Sequence, residues 1–170
     1  MHILHTERLA LRTLEEEDAV FYLELVNDPA WIANIGQRHI HHLDAARAAI
    51  EAGARTSQRT NGFSFYLVER RGDGAPIGIC GLIKRDSLPD ADIGYAFLPA
   101  YRGQGYAFEA AAGVLVHARD VLGLDCLLGI TAPDNLASNR LLVKLGLRFE
   151  RLLAMPPDGR DTNLYRCDFD

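Results

Sequence analysis

The stretch "YRGQGYAFEAAAG" (residues 101–113) decides the fold. It joins an apolar, β-rich run, "IGYAFLP" (93–99), to an alanine-rich helical run. Gly103 and Gly105 sit where the strand ends and the helix begins. Either they only turn a corner, or their bare backbone lets an anion approach the first N–H groups of the helix. Those groups have no intrahelical acceptor, and the helix dipole adds positive charge there.

Working outward, "DCLLGITA" (125–132) is a short apolar strand beyond the helix. A strand–helix–strand connection of this length is a crossover, so the strands on either side of it are expected to be parallel. "NLASNRLLVKLG" (135–146) follows as a helix with Leu136, Leu141, Leu142 and Leu145 on its apolar side and Gly146 as its stop. "RFERLLAM" and "TNLYRCDF" read as two closing strands around the turn-rich "PPDGRD". Upstream, "FSFYLVERR" and "PIGICGLIKR" flank the turn residues Gly72–Gly74 and form a hairpin. "RLALRTL" is the first strand. "EEEDAVFYLELVND" is an amphipathic helix with Val20, Leu23 and Leu25, ended by Asn27-Asp28-Pro29. "AARAAIEAGARTSQ" is a second helix, with Asp44 available as its cap. The order β-α-α-β-β-β-α-β-α-β-β predicts an α/β fold with a mixed central sheet and helices on both faces. No repeat or linker divides the 170 residues, so one domain spanning 1–170 is expected.

Composition narrows the function. The chain is 48% hydrophobic and 24% charged with a net charge of −5, which disfavours a general nucleic-acid binder. No apolar run reaches bilayer length, and the N-terminus lacks a signal-peptide layout. Cys80, Cys126 and Cys167 are few, odd in number and far apart, which suits buried thiols in a reducing cytoplasm. No metal-ligand spacing is present, and the histidines of "RHIHH" (His39, His41, His42) read as solvent-facing loop residues. Two nucleotide motifs fail. A dinucleotide fingerprint needs a glycine where Phe108 stands, and a triphosphate-cradling loop needs Gly-Lys-Ser/Thr.

Arg102-Gly103-Gln104-Gly105-Tyr106-Ala107 instead matches Arg/Gln-x-x-Gly-x-Gly/Ala, and in this it resembles the pyrophosphate loop of the GNAT superfamily of acetyl-coenzyme A-dependent N-acetyltransferases. "ADIGYAFLPAYRGQGYAFEA" and "NLASNRLLVKLGLRF" resemble consecutive segments of that family. "TERLALRTLEEEDA", "NDPAW" and "NLYRCDF" resemble its ribosomal-protein N-terminal acetyltransferase (RimJ/RimL-like) branch. The likeness covers nearly the whole chain.

The resemblance implies acetyl-CoA as co-substrate, without a metal, held between splayed parallel strands. The pantetheine arm would pair with backbone groups of Phe97 and Leu98. The pyrophosphate would meet the N–H groups of Gly103, Gln104, Gly105 and Ala107 beside Arg102. Asn135 would touch the arm, cap its helix, or do both. Arg140 and Lys144, four apart, could reach the adenosine phosphate, although a solvated basic face is the commoner fate. Many members carry a tyrosine seven residues after the asparagine as the acid for the leaving thiolate. Here that position is Leu142, so that role does not carry over. Ser138, three after the asparagine, is the branch's hydrogen-bond donor in its place. Transfer would be direct, with the oxyanion held by a backbone N–H near Leu98. Asp92 and Glu69 are candidate bases, Asp92 first, with a capping or loop-bonding role as its alternative. Glu109 is taken as structural. Tyr22, Trp31 and Asn34 are candidates for the acceptor pocket, with Trp31 in a loop. The acceptor is an amine: a protein N-terminal α-amine or a small molecule. The acidic balance would suit a basic acceptor. A non-catalytic acyl-CoA sensor on the same fold is the alternative reading. The resemblance also admits a homodimer paired through the C-terminal strands.

Overall fold

The computed structural model describes residues 1–169. Eight strands form one sheet in the order β1-β2-β3-β4-β5-β6-β8-β7. They are β1 (His2–His5), β2 (Leu9–Thr13), β3 (Phe65–Arg70), β4 (Pro76–Ile83), β5 (Asp92–Phe97), β6 (Cys126–Thr131), β7 (Arg148–Met155) and β8 (Arg160–Asp168). Every neighbouring pair is antiparallel except β5 and β6, the pair joined by the crossover. The helices are α1 (Ala19–Val26), α2 (Pro29–Asn34), α3 (Leu43–Ile50), α4 (Thr56–Asn61), α5 (Tyr106–Asp120) and α6 (Leu136–Lys144), with a π-helical turn over Glu51–Arg55 joining α3 to α4.

Two cores separate the faces of the sheet. On one side Ala110, Ala111, Val114 and Ala118 of α5 and Leu142 of α6 pack on Leu9, Leu11, Val68, Cys80, Ile93, Phe97 and Leu127. The small residues of α5 let the helix sit close to the strands. On the other side Leu25, Trp31, Ala46 and Ile50 of α1–α3 cover Leu67, Ile79 and Leu98.

The expected elements are present, and local readings change. A strand, β1, precedes "RLALRTL". Trp31 lies in α2, not in a loop, because Asp28 starts a new helix: its carboxylate accepts the N–H groups of Ala30 and Trp31, and Pro29 takes the first turn, where its missing N–H costs nothing. His42, not Asp44, caps α3, through Nδ1 on the N–H of Ala45. Val20 and Leu136 point to solvent, at 67% and 62% exposure, so the buried stripes of α1 and α6 are narrower than the leucine pattern suggests.

What positions the site is how briefly β5 and β6 pair. They meet only at Asp92↔Leu128 and Ile93↔Gly129. Beyond that, β5 follows β4 up to Gly78↔Phe97, while β6 follows β8 up to Thr131↔Asn163. The sheet therefore opens into a V. Leu142 lies over Gly129 at the point of the V: a Cβ on Gly129 would come within 2.7 Å of Leu142 Cδ2.

Candidate active site

A cavity of about 670 Å³ occupies the V and is lined from both faces of the sheet. At one end α5 begins. Gly103 and Gly105 have φ of +71° and +82°, the left-handed region that a side chain disfavours. Gly105 is the N-cap of α5. The N–H groups of Gly103, Gln104, Gly105 and Ala107 have no acceptor among the described residues. Gly103, Gly105, Tyr106, Ala107 and Phe108 line the cavity, so this end offers a helix N-terminus with free donors. Glu109 holds the turn from behind, accepting from Thr6 Oγ1, from the Arg8 N–H and from Arg8 Nε. Its position fits the structural role assigned to it.

Arg102 lines the cavity, but its charge is committed. Nη2 donates to Asp28 Oδ2 at 2.5 Å and Nε to the Phe97 carbonyl at 2.9 Å. Burial pushes the Asp28 carboxyl up, but Arg102 and the α2 N–H groups outweigh it, so the net shift is downward. Arg102 is thus a strut that ties the end of β5 to the start of α2. Gln104 faces away from the cavity lining, donating its amide to the Ala100 carbonyl.

The open edge of β5 is set by the period of the ladder. The Leu98 N–H donates to the Ile77 carbonyl at 3.0 Å, and the register with β4 then turns the N–H and C=O groups of Gly94 and Ala96 toward β4, while the Leu98 carbonyl accepts from the Tyr101 N–H. Tyr95 and Phe97 turn theirs to the V side, where the Phe97 carbonyl is taken by Arg102 Nε. Of the two residues expected to meet the pantetheine arm, Leu98 has its N–H taken by Ile77, and Phe97 has its N–H on the V side. The Leu98 side chain is buried in the α1–α3 core, away from the cavity lining.

Side chains on β5 divide by the same period. Ile93, Tyr95 and Phe97 face α5 and α6, whereas Ala96 faces α1–α3, with Asp92 in phase with it. Asp92 is 1% exposed. Its Oδ1 accepts from Arg85 Nε at 2.9 Å, and its Oδ2 has no partner. Burial raises its carboxyl to about 6, with Arg85 pulling the other way. On the α6 side, Asn135 caps the helix by accepting the Ser138 N–H at 3.2 Å. The Ser138 hydroxyl lies 2.9 Å from the Tyr95 hydroxyl, and both residues line the cavity. Asn139 fastens α6 to its strands, giving Nδ2 to the Ala132 carbonyl and accepting from Tyr165 and Asn163.

Of the residues singled out in the sequence, Asp92, Phe97, Arg102, Gly103, Gly105, Ala107, Asn135, Ser138, Trp31 and Asn34 line this one cavity. Leu98, Gln104 and Tyr22 do not, and Tyr22 is half-buried with its phenol pushed up by that burial. Tyr95, Arg38, Arg85 and Arg160 line it without having been singled out. Strand parity could have pointed to Tyr95. Nothing local marks the arginines. Lys144 also lines the cavity, with Nζ 4.2 Å from the centre of the Phe108 ring; Arg140 does not. His39, His41 and His42 are exposed, and no group of three or more His, Cys, Asp or Glu among the described residues is arranged to hold a metal. No helix among them is long and apolar enough to cross a membrane.

A V-shaped opening between two parallel strands, with a glycine loop at a helix N-terminus at one end, agrees with the acyl-CoA-dependent acyltransferase class that the sequence resembles. The chain belongs to the family described as Acetyltransferase (GNAT) domain, which matches residues 8–148. A curated relative, "Uncharacterized N-acetyltransferase YoaA" of Bacillus subtilis (strain 168), is 30% identical over 168 residues, covering 96% of this chain and 94% of its own. The crystal structure of a GNAT-family acetyltransferase from Bacillus anthracis superposes with a TM-score of 0.81 at 25% identity, covering 99% of this chain and 98% of that one. The acetyltransferase from Salmonella typhimurium that modifies the N-terminal serine of ribosomal protein L7/L12 shares the fold, with a TM-score of 0.82 at 20% identity and full coverage of both chains. The chain is an N-acetyltransferase of a family that uses acetyl-CoA.

Proposed function

We propose that the protein transfers acetyl directly from acetyl-CoA to a low-pKa primary amine, and that the acceptor is an α-amine of a protein N-terminus or of a small molecule. The observation that carries this is the V between β5 and β6 with free N–H groups of two positive-φ glycines at its end. The pyrophosphate would lie on the N–H groups of Gly103, Gly105 and Ala107. The pantetheine arm would add to the open edge of β5 at Tyr95 and Phe97, near Asn135. The thioester oxyanion would take a free edge N–H there. A strand has two faces, and the chemistry uses both: Asp92 lies on the side of α1–α3, from which the amine arrives, and Ser138 on the side of α6, toward which sulfur leaves.

The choice of amine rests on charge. An α-amine of pKa near 8 is roughly a tenth neutral at pH 7, whereas a lysine of pKa near 10.4 is neutral in only about one molecule in a few thousand. The cavity wall carries Arg38, Lys144 and Arg160 in addition to Arg85, paired with Asp92, and Arg102, paired with Asp28. Such a wall repels polycations and favours the neutral form of an amine, so the local charge outweighs the acidic average of the chain. Asp92, with its carboxyl near 6, would collect the amine proton through water. It is a better acceptor than an ordinary carboxylate by about 3 kcal/mol. The shared fold with ribosomal-protein acetyltransferases agrees with a peptide α-amine.

The test has two stages. Acetyl-CoA and CoA should raise the melting temperature, and NAD and ATP should not. Thiol release should then follow addition of a peptide with a free α-amine, and should be absent with an N-blocked lysine peptide or spermidine. Turnover on the last two alone would refute the α-amine. Binding without turnover on any amine would favour the sensor.

A further inference from the structure

Leu142 fills the helix position where the family resemblance places a hydroxyl acid, and it is spent on packing: it is 1% exposed and lies against Gly129. A phenol nevertheless reaches the same helix from the strand. Tyr95, two residues past the last β5–β6 pair, brings its hydroxyl to 2.9 Å from Ser138 Oγ and 3.5 Å from the Ser138 carbonyl oxygen. The two hydroxyls share one hydrogen bond, and the Ser138 carbonyl, which only accepts, also lies within reach of the phenol. Ser138 Oγ makes no bond to the backbone of its own helix, the usual fate of a helical serine hydroxyl. With Tyr95 as the donor, the hydrogen of that serine hydroxyl is left for an acceptor in the cavity that both residues line. The Ser138 N–H is meanwhile fixed by Asn135.

We propose that Tyr95 is a positioning residue that donates to Ser138 Oγ and so aims the Ser138 hydroxyl at the sulfur of CoA, stabilising the thiolate as it leaves. This rests on the acetyl-transfer reading above. The electrons balance without an acid. The amine lone pair forms the C–N bond, the C–S pair leaves on sulfur, and the nitrogen proton passes to water or Asp92. The thiolate is reprotonated from solvent after the step. The magnitudes favour a donor over an acid. Burial holds the Tyr95 phenol up at about 12. A thiol titrates near 8.5, so a proton on the phenol is disfavoured from moving to the thiolate by more than about a thousandfold. A hydrogen bond passed through Ser138 has no such barrier, and two hydroxyls in series polarise one another.

The test reads the thiol of bound CoA, so it needs no acceptor. Wild type, Tyr95→Phe, Ser138→Ala and the double variant are each saturated with CoA, and thiolate absorbance is followed against pH, with desulfo-CoA as the blank. The wild type should hold the bound thiol about one unit below its free value. Each single variant should return it, and the double should return it no further than Ser138→Ala alone. Melting temperature should stay near wild type, and CoA affinity should match wild type below the thiol pKa and fall by up to about 10-fold above it. In turnover with tetra-alanine as acceptor, Tyr95→Phe should lower kcat by roughly 10-fold with KM for acetyl-CoA unchanged. A bound thiol that stays as low in Tyr95→Phe as in the wild type, or losses that add in the double variant, would overturn the relay. Failure of the wild type to bind CoA at all would remove the acetyl-CoA reading itself, and the relay with it.

Discussion

Replacing Asp92 with Asn should make the protein more stable and a poorer catalyst, and the gain in stability should depend on pH in a calculable way. Burial holds the Asp92 carboxyl near 6, against 3.8 for the same group in an unfolded chain. Between those values the folded state binds more protons than the unfolded state, so stability falls as pH rises. At 1.36 kcal/mol per pH unit the full window amounts to about 3 kcal/mol. That cost is complete above pH 6 and absent below 3.8. Asn has the shape of the protonated acid and keeps an oxygen for Arg85. Urea unfolding of wild type and Asp92→Asn at pH 8 should therefore differ by about 2–3 kcal/mol in favour of the variant. The value near 6 already includes the pull of Arg85, so the ion pair is not subtracted again. The difference should close toward zero as pH falls to 4. Every other carboxylate is common to both proteins and cancels. Equal or lower stability of the variant at pH 8, with a difference that does not change with pH, would refute the claim that this carboxylate is held charged against its surroundings.

Other perturbations separate the roles of neighbouring residues. Gly105→Ala places a side chain at φ +82° with its Cβ 3.3 Å from Arg8 Nη2, so it should cost about 1–2 kcal/mol of stability by denaturant unfolding and weaken acetyl-CoA in calorimetry by 10-fold or more. Gly103→Ala has open space around its Cβ, so calorimetry should show a smaller loss, from backbone strain alone. Arg102→Ala removes the partner of Asp28, whose side chain is 7% exposed, and should lose roughly 1–3 kcal/mol at neutral pH. Because the Asp28 carboxyl is depressed, that loss should shrink as pH falls through its folded pKa, which urea unfolding at low pH would read. Leu142→Tyr should not improve turnover: the ring would be forced against Gly129 and Leu147, and thermal melting should show a loss of about 1–3 kcal/mol.

The sequence by itself determined the order of elements from the β3–β4 hairpin onward, the crossover between β5 and β6, and the glycine loop at the start of α5, because periodicity, turn residues and helix ends are local properties of a chain; it did not show β1 or α2. It also determined that Asn135 caps a helix three residues before Ser138. The tertiary structure decided the rest. Arg102 beside two glycines looks like a phosphate ligand, and only the structure shows that it also ties this loop to Asp28, 74 residues away. Leu98 looks like an edge residue until its N–H is found on Ile77, because which N–H groups face the V depends on the register with β4. Tyr95 and Ser138 are 43 residues apart, on a strand and a helix that meet only once the sheet has opened. The rise in the Asp92 carboxyl comes from burial, which no local pattern in the sequence displays. Hydrogen-bond partners, burial and charge balance are properties of what folding brings together. For that reason the chain spells out where acetyl-CoA would lie, while the groups that would act on it are set by packing.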